Sequence, residues 1–266
     1  MVYCGLSIFV FILYHYQLKL SLEVIFFLHS FIFILGYIIC VPKVSFYKIN
    51  LKLYKDEIKD MWGYSKWLIT SAFLSFSSTN IFYFVGGALL GSVSLGAVRA
   101  TQTLMGVFNV LLQFLDNYLP IKLINIFSDG KFHEMNRYLV KTALILIVLI
   151  FLSLIFSFFY AENIYQYVFG KSYTKFSYLL NWFLFSYLFL IVNTMLRNGL
   201  KTIGHTKPIF YSYLINSFVS IFSVVPLIKF FEVKGLLFGI IVTQIVSIGY
   251  LYKSYQSRRH NYLFEV

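Results

Sequence analysis

The segment GAVRATQTLMGVFNVLLQFLDNYLP, residues 96–120, places Arg99, Gln102, Asn109, Gln113, Asp116 and Asn117 in an otherwise apolar run. A guanidinium and a row of amides bind rather than cleave: they attract an anion and exchange hydrogen bonds with polar groups. On a helix advancing about 100° per residue, with Arg99 at zero, Gln102 falls at about 300°, Asn109 at 280°, Gln113 at 320°, Asp116 at 260° and Asn117 at 0°. All six share an arc of about 100°, and at about 1.5 Å per residue the stripe is roughly 25 Å long. Turned toward lipid near the midplane, each ionisable group would cost about 3 kcal/mol or more, so the stripe must face protein or water. One reading makes the amides packing bonds between helices while Arg99 and Asp116 reach opposite interfaces. Six residues on one arc favour a wet cavity.

Weaker signals lie elsewhere. In WLITSAFLSFSSTNIFYF, Ser71, Ser75 and Ser78 share a hydroxyl face about two turns long, which ends at Phe82, while Asn80 points the opposite way. Such a face also permits close helix packing. Asn193, Thr194, Arg197 and Asn198 form a polar group before the turn GLKTIGHTKP, with Asn193 and Arg197 the candidates for an inner gate; helix capping and phosphate contact at the inner leaflet also account for the group. Asn181, Asn216 and Gln244 are isolated amides expected to make interhelical bonds. Pro226 is expected to kink or end its helix.

No catalytic constellation is present. The five histidines, His15, His29, His133, His205 and His260, are scattered, with no HxxxH or HExxH spacing. No GxSxG or P-loop occurs, and no two acidic residues share an apolar run. Asp56, Glu57 and Asp60 lie among lysines and read as a solvated face. Cys4 and Cys40 sit in apolar stretches without CxxC spacing, so neither a metal site nor a disulfide framework is expected, and no cofactor.

The elements that must position the stripe follow from composition. With 59% hydrophobic, 21% aromatic and 12% charged residues, the chain cannot cover a soluble globule with polar surface. Its mean hydropathy is +0.78. The net charge of +12 sits in short segments between apolar runs, the pattern of membrane topology rather than nucleic-acid binding. A hydrocarbon core about 30 Å thick needs roughly 20 apolar residues as helix. Eight segments qualify, near 2–17, 22–41, 66–87, 96–119, 140–160, 177–197, 209–229 and 233–252, which predicts an all-α polytopic membrane bundle. Sixteen of the 22 basic residues fall on alternate connectors, which places both termini of this chain in the cytoplasm. The exceptions are Lys19, Arg99, Lys171, Lys175, Lys229 and Lys234. The loop 42–65 divides two spans from six and is expected to end in an amphipathic stretch on the inner leaflet. A cytoplasmic tail, 253–266, follows the last span, and no cleaved signal peptide is read at the N-terminus.

The stretch 62–120, with its YSKWL opening, its LG...LGAVRATQ turn and its N..LQ..DNYLP exit, resembles the first hairpin of the C-terminal lobe of bacterial lipid-linked oligosaccharide flippases. These are the O-antigen and polysaccharide translocases of the multidrug/oligosaccharidyl-lipid/polysaccharide exporter superfamily. VFGKSYTKFSYLL (168–180) and NGLKTIGHTKPIFYSYLINS (198–217) are similar to that family's last spans. The resemblance implies two six-helix lobes that rock about a central cavity, and an undecaprenyl-pyrophosphate-linked glycan as ligand in the bacterial cytoplasmic (inner) membrane. It makes 66–252 a six-helix C-terminal lobe and 1–41 the last two helices of an incomplete N-terminal lobe, with an N-terminally truncated chain as the expectation.

In that setting Arg99 attracts the pyrophosphate, or holds a charge partner on the other lobe, and Gln102, Asn109 and Gln113 bond sugar hydroxyls. Asp116 is read as a partner for a basic residue at an inner gate. The partners implied are the lipid-linked glycan, membrane lipids and other polysaccharide-assembly membrane proteins, without nucleic acid. Three other classes compete: a membrane enzyme such as a glycan polymerase or acyltransferase, a drug or ion antiporter, and an inactive fragment. The longest outer loop, 161–176, offers an enzyme only Glu162, Lys171 and Lys175, and Asp116 sits too near one end of its span to favour an antiporter.

Overall fold

The computed structural model describes the backbone of residues 55–264 and of eight residues between Phe27 and Ile38. The expected first span, most of the second, residues 42–54, Cys4 and Cys40 lie outside the described residues. The chain divides into two units, Met1–Asp56 and Glu57–Val266. In the first, the eight described residues between Phe27 and Ile38 are helical and exposed. The second contains α1 (Lys55–Leu104), α2 (Gly106–Ser128), α3 (Phe132–Phe169), a 3-10 segment (Lys171–Phe176), α4 (Tyr178–Thr202) and α5 (Lys207–Phe264). No strand occurs among the described residues, and four helices are long and apolar enough to cross a membrane. The architecture is an all-α polytopic membrane bundle.

Two of these helices are hairpins. A straight helix places residues eight apart about 12 Å from each other. Yet the Cβ position of Gly87 lies 2.9 Å from Leu95 Cδ2, and that of Gly235 lies 2.0 Å from the carbonyl oxygen of Leu227. The chain therefore reverses between these pairs. The first reversal is at Gly91, with φ 81° and ψ 171°, a conformation in which a side chain would be strained. The second is at Glu232, with φ 51° and ψ −130°. At Met105, by contrast, helical bonding continues: its N–H donates to Thr101 O and its carbonyl accepts from Asn109 N–H, both at 3.1 Å. Residues 92–128 thus behave as one helix, and the described unit has six helical runs, each containing one of the six spans expected after residue 65.

Two expectations are corrected here. Pro226 does not end its helix: α5 runs through it and breaks six residues later, at the gap between the expected spans 209–229 and 233–252. Residues 55–65 continue the helix of the expected 66–87 span instead of forming a separate stretch. That extension is held by the α4–α5 turn: Tyr64 Oη donates to Lys201 O and Thr206 Oγ1 donates to Tyr64 O, each at 3.3 Å.

Within lipid, apolar burial gives little net drive between helices, so contact rests on van der Waals fit and small residues. α4 is the central element, packed against α2, α3 and α5, with 56% of its most apolar window buried against 17% for α3. α3 buries a narrow stripe, including Leu139, Leu146, Ile150, Ser157, Ala161 and Tyr165, and exposes Leu144, Val148, Phe151, Leu152 and Ile155 on the faces that lipid would cover. Glycines set the closest approaches. A Cβ on Gly239 would lie 2.2 Å from the Phe82 ring, and one on Gly199 would lie 2.8 Å from Tyr255.

Gly239→Ala is expected to lower stability by about 1–3 kcal/mol, because Phe82 is buried and the helices must separate. Gly249→Ala, on the same helix with nothing within 4 Å, is expected to be neutral or stabilising by up to about 1 kcal/mol. Thermal unfolding of the detergent-solubilised chain measures both; equal effects would sink the packing account.

Candidate functional site

The stripe on residues 92–128 is divided along its length. Gln102, Asn109 and Asp116, at about 300°, 280° and 260°, turn into the bundle and line cavities. Arg99, Gln113 and Asn117, at about 0°, 320° and 0°, are exposed at the bundle surface. The helix is rotated so that only one flank of the polar arc meets the interior. Asn117 Nδ2 bonds back to Gln113 O at 3.0 Å. The Arg99 guanidinium stacks over the Tyr83 ring at 4.3 Å and donates to Gln102 Oε1 at 3.0 Å, while Gln102 Nε2 donates to Tyr83 Oη.

Inside lies a cavity of about 480 Å³. α1 contributes Ser75, Ser78, Thr79, Phe82, Tyr83 and Gln102 to its wall, and α2 contributes Asn109. Ser186, Tyr187 and Arg197 come from α4, and Tyr213, Asn216, Thr243 and Gln244 from the two arms of α5. Among the described residues the lining holds one guanidinium and no carboxylate. Tyr187 Oη donates to Asn109 Oδ1 at 2.7 Å, and Asn193 Nδ2 donates to the backbone oxygen of Gln244 at 3.0 Å and to its side chain. The Oδ1 atoms of Asn193 and Asn216 are buried without a partner. Both cavity and orphan acceptors suit a ligand or water that donates hydrogen bonds.

A second cavity of about 520 Å³ adjoins the first and shares Ser75, Arg197 and Tyr213 with it. Ser71, Asp116 and Lys201 line it as well. At this junction Arg197 donates to Tyr213 Oη at 2.8 Å and to Thr194 Oγ1 at 3.1 Å. Asn198 Nδ2 donates to Asp116 Oδ1 at 2.9 Å. The polar group on α4 therefore points inward instead of capping its helix or meeting lipid phosphate, because Asn193, Thr194 and Asn198 are fully buried. Ser71, Ser75 and Ser78 all reach a cavity, and Phe82 on the same face closes the first one. Of the three isolated amides, Asn181 accepts from Ser157 Oγ and Gln244 accepts from Asn193, both interhelical, whereas Asn216 faces the cavity.

Sequence reasoning missed Tyr83, Tyr187, Tyr213 and Lys201. In a chain with 22 tyrosines the residue type carries no signal. The usable clue was position: Tyr83 and Tyr213 each lie within reach, across a hairpin or turn, of an arginine on the facing segment.

The model of the MatE family matches residues 68–225, more than half of the chain. The chain belongs to the MatE family. The match spans the hydroxyl face, the whole polar stripe, the α4 cluster and most of the first arm of α5. It makes the chain a membrane transporter of the multidrug/oligosaccharidyl-lipid/polysaccharide exporter superfamily. No curated protein and no solved structure matches the chain. As a MatE transporter it needs a polar route, and pairs such as Tyr187–Asn109 and Asn198–Asp116 link α4 to α2 through polar groups.

Asp116→Ala leaves the buried Asn198 amide without its acceptor and is expected to cost about 1–3 kcal/mol of stability. Asp116→Asn keeps an acceptor oxygen and should restore most of that loss. Unfolding midpoints of the two variants, compared with the parent, decide the point, and equal losses in both would refute the pairing.

Proposed function

We propose that the chain translocates an undecaprenyl-pyrophosphate-linked oligosaccharide from the inner to the outer leaflet of the bacterial cytoplasmic membrane by alternating access, for surface polysaccharide assembly. The observation that carries this reading is the mixed lining of the 480 Å³ cavity: among the described residues, amides, hydroxyls, tyrosines and one guanidinium stand beside Phe82, Phe183, Leu190 and Ile240. Sugar hydroxyls both donate and accept, and a wall of neutral groups exchanges such bonds with little net energy, so a glycan is held without being trapped. Moving the headgroup through hydrocarbon bare would strand many polar groups, each costing several kcal/mol. The prenyl tail has no such cost and stays in lipid.

The resemblance of 62–120, 168–180 and 198–217 to lipid-linked oligosaccharide translocases supports the same substrate class. Sidedness comes from the basic connectors: Lys122, Lys131, Arg137, Lys201 and Lys207 gather at one end of the described bundle, which the positive-inside rule assigns to the cytoplasm. On that assignment the turns at Gly91 and Glu232 face outward. Arg99, exposed and stacked on Tyr83, stands near the outer end, and Asp116, Arg197 and Asn198 near the inner end. Other polysaccharide-assembly membrane proteins would supply the loaded carrier and receive it.

In the bacterium that encodes the chain, deletion is expected to leave undecaprenyl-linked repeat units on the inner leaflet and none at the surface. Complementation with Asn109→Leu should restore at least about tenfold less surface glycan than the parent at equal protein level, as loss of a transition-state or gating contact of about 1.4 kcal/mol requires. Full surface glycan in the deletion strain would reject the reading.

A further inference from the structure

The second cavity contains something the transport reading does not use. Arg197 and Lys201 stand one helical turn apart on α4, an i, i+4 pair whose side chains share one face, and both line its wall. The opposing charge there is Asp116 on α2, and one oxygen of that carboxylate is engaged by Asn198 Nδ2 at 2.9 Å. The remaining wall is Ser71, Ser75 and apolar side chains such as Leu68 and Ile209. Cations thus outnumber the carboxylate in a recess of about 520 Å³, beside the end of the bundle where the basic connectors gather.

Arg197 lies where the two cavities meet, as Ser75 and Tyr213 do. It lines both cavities, and its guanidinium is held between two neutral hydroxyls, Tyr213 Oη at 2.8 Å and Thr194 Oγ1 at 3.1 Å. Those are ordinary hydrogen bonds. A charged phosphate oxygen makes guanidinium bonds roughly twice as strong and can take two of them at once. A phosphate entering beside Lys201 therefore competes for Arg197 on favourable terms, and Arg197 can turn to it without losing a partner. Tyr213, released, no longer closes the junction.

We propose that the recess bounded by Arg197, Lys201 and Asp116 is a binding site for a phosphate-bearing anion, and that Arg197 leaves Tyr213 and Thr194 for the phosphate, opening the way between the two cavities. The ligand chemistry is that of a pyrophosphate or a phospholipid headgroup. This rests on the proposed transport function only for the source of the phosphate; the site and the switch stand on the contacts.

The test uses the full chain with Cys4→Ser and Cys40→Ser, carrying Ala72→Cys as a reporter in the recess or Ser78→Cys as a reporter in the first cavity, reconstituted in phosphatidylcholine vesicles. A charged, impermeant thiol reagent reads accessibility. Inorganic pyrophosphate is expected to protect Ala72→Cys, and Lys201→Gln to raise the concentration needed by about tenfold, as loss of one charge-assisted bond implies. Tyr213→Phe should lower it by about threefold, because it frees Arg197 from a neutral competitor. Arg197→Ala alone should make Ser78→Cys react as fast as Ala72→Cys. Protection by added phosphatidylglycerol without pyrophosphate would identify the bilayer headgroup as the source.

Protection that is unchanged in Lys201→Gln overturns the site. Pyrophosphate binding that is unchanged or weaker in Tyr213→Phe overturns the switch, since a static pair of cations would not respond to that hydroxyl. Should Arg197→Ala misfold, Arg197→Lys keeps the charge but cannot span both hydroxyls, and must give an intermediate Ser78→Cys rate. No glycan lipid is present in the assay, so a positive result combined with intact surface glycan in the deletion strain would sink the transport reading alone.

Discussion

A polar group at membrane depth has no water to turn to, and that constraint organises the whole bundle. The polar side chains of the spans answer it in three ways. Some bond back to their own helix, as Thr70 does to Lys66 O at 2.9 Å and Ser153 to Leu149 O at 2.9 Å. Others cross to a neighbour, as Ser157 does to Asn181. Others line the two cavities, while the hydroxyl oxygens of Ser220, Ser223 and Ser247 are buried without a partner. Buried amide oxygens without a partner, on Asn193, Asn198 and Asn216, belong to side chains whose other contacts lie at these cavities. An orphan acceptor calls for water or ligand, and of these three residues Asn216 lines the first cavity.

Tyrosine is the residue through which that marking is made. Tyr83, Tyr187 and Tyr213 each bring a hydroxyl to a stripe or cluster residue on another segment, meeting Gln102, Asn109 and Arg197 in turn. A long, stiff side chain with an apolar body and a polar tip suits this place, since the ring fills space between helices while the oxygen reaches the cavity. Arg99 and Arg197 each stack on one of these rings, at 4.3 and 5.5 Å from Tyr83 and Tyr213. Both cations are thereby held by groups that carry no opposite charge, and an arriving anion meets no ion pair that must first be broken.

The packing that surrounds the cavity is of another kind. Between α1 and α5 it depends on the absence of side chains, with Gly239 against Phe82 and Gly86 against Leu236. Contacts of this sort give close approach without locking side chains into one another. α4 runs through the middle, contributing Ser186, Tyr187 and Arg197 to the cavity and burying more of its apolar length than α3, which spends its own on lipid. The chemistry is concentrated on the helices with least contact with the bilayer, α4 and the inner flanks of the two hairpins.

Hydropathy alone located the six described spans, because the length of an apolar run answers to membrane thickness and to nothing else in the fold. The spacing of Arg99, Gln102, Asn109, Gln113, Asp116 and Asn117 likewise determined that they form a stripe, since angles along one helix follow from its pitch. Periodicity says nothing of how that helix is turned about its axis. That rotation is set by contacts from distant parts of the chain, and it sent Gln102, Asn109 and Asp116 inward while leaving Arg99, Gln113 and Asn117 at the surface. The same limit hid Lys201 and the tyrosines altogether. Each of those depends on what lies across a gap, and only the assembled helices decide that.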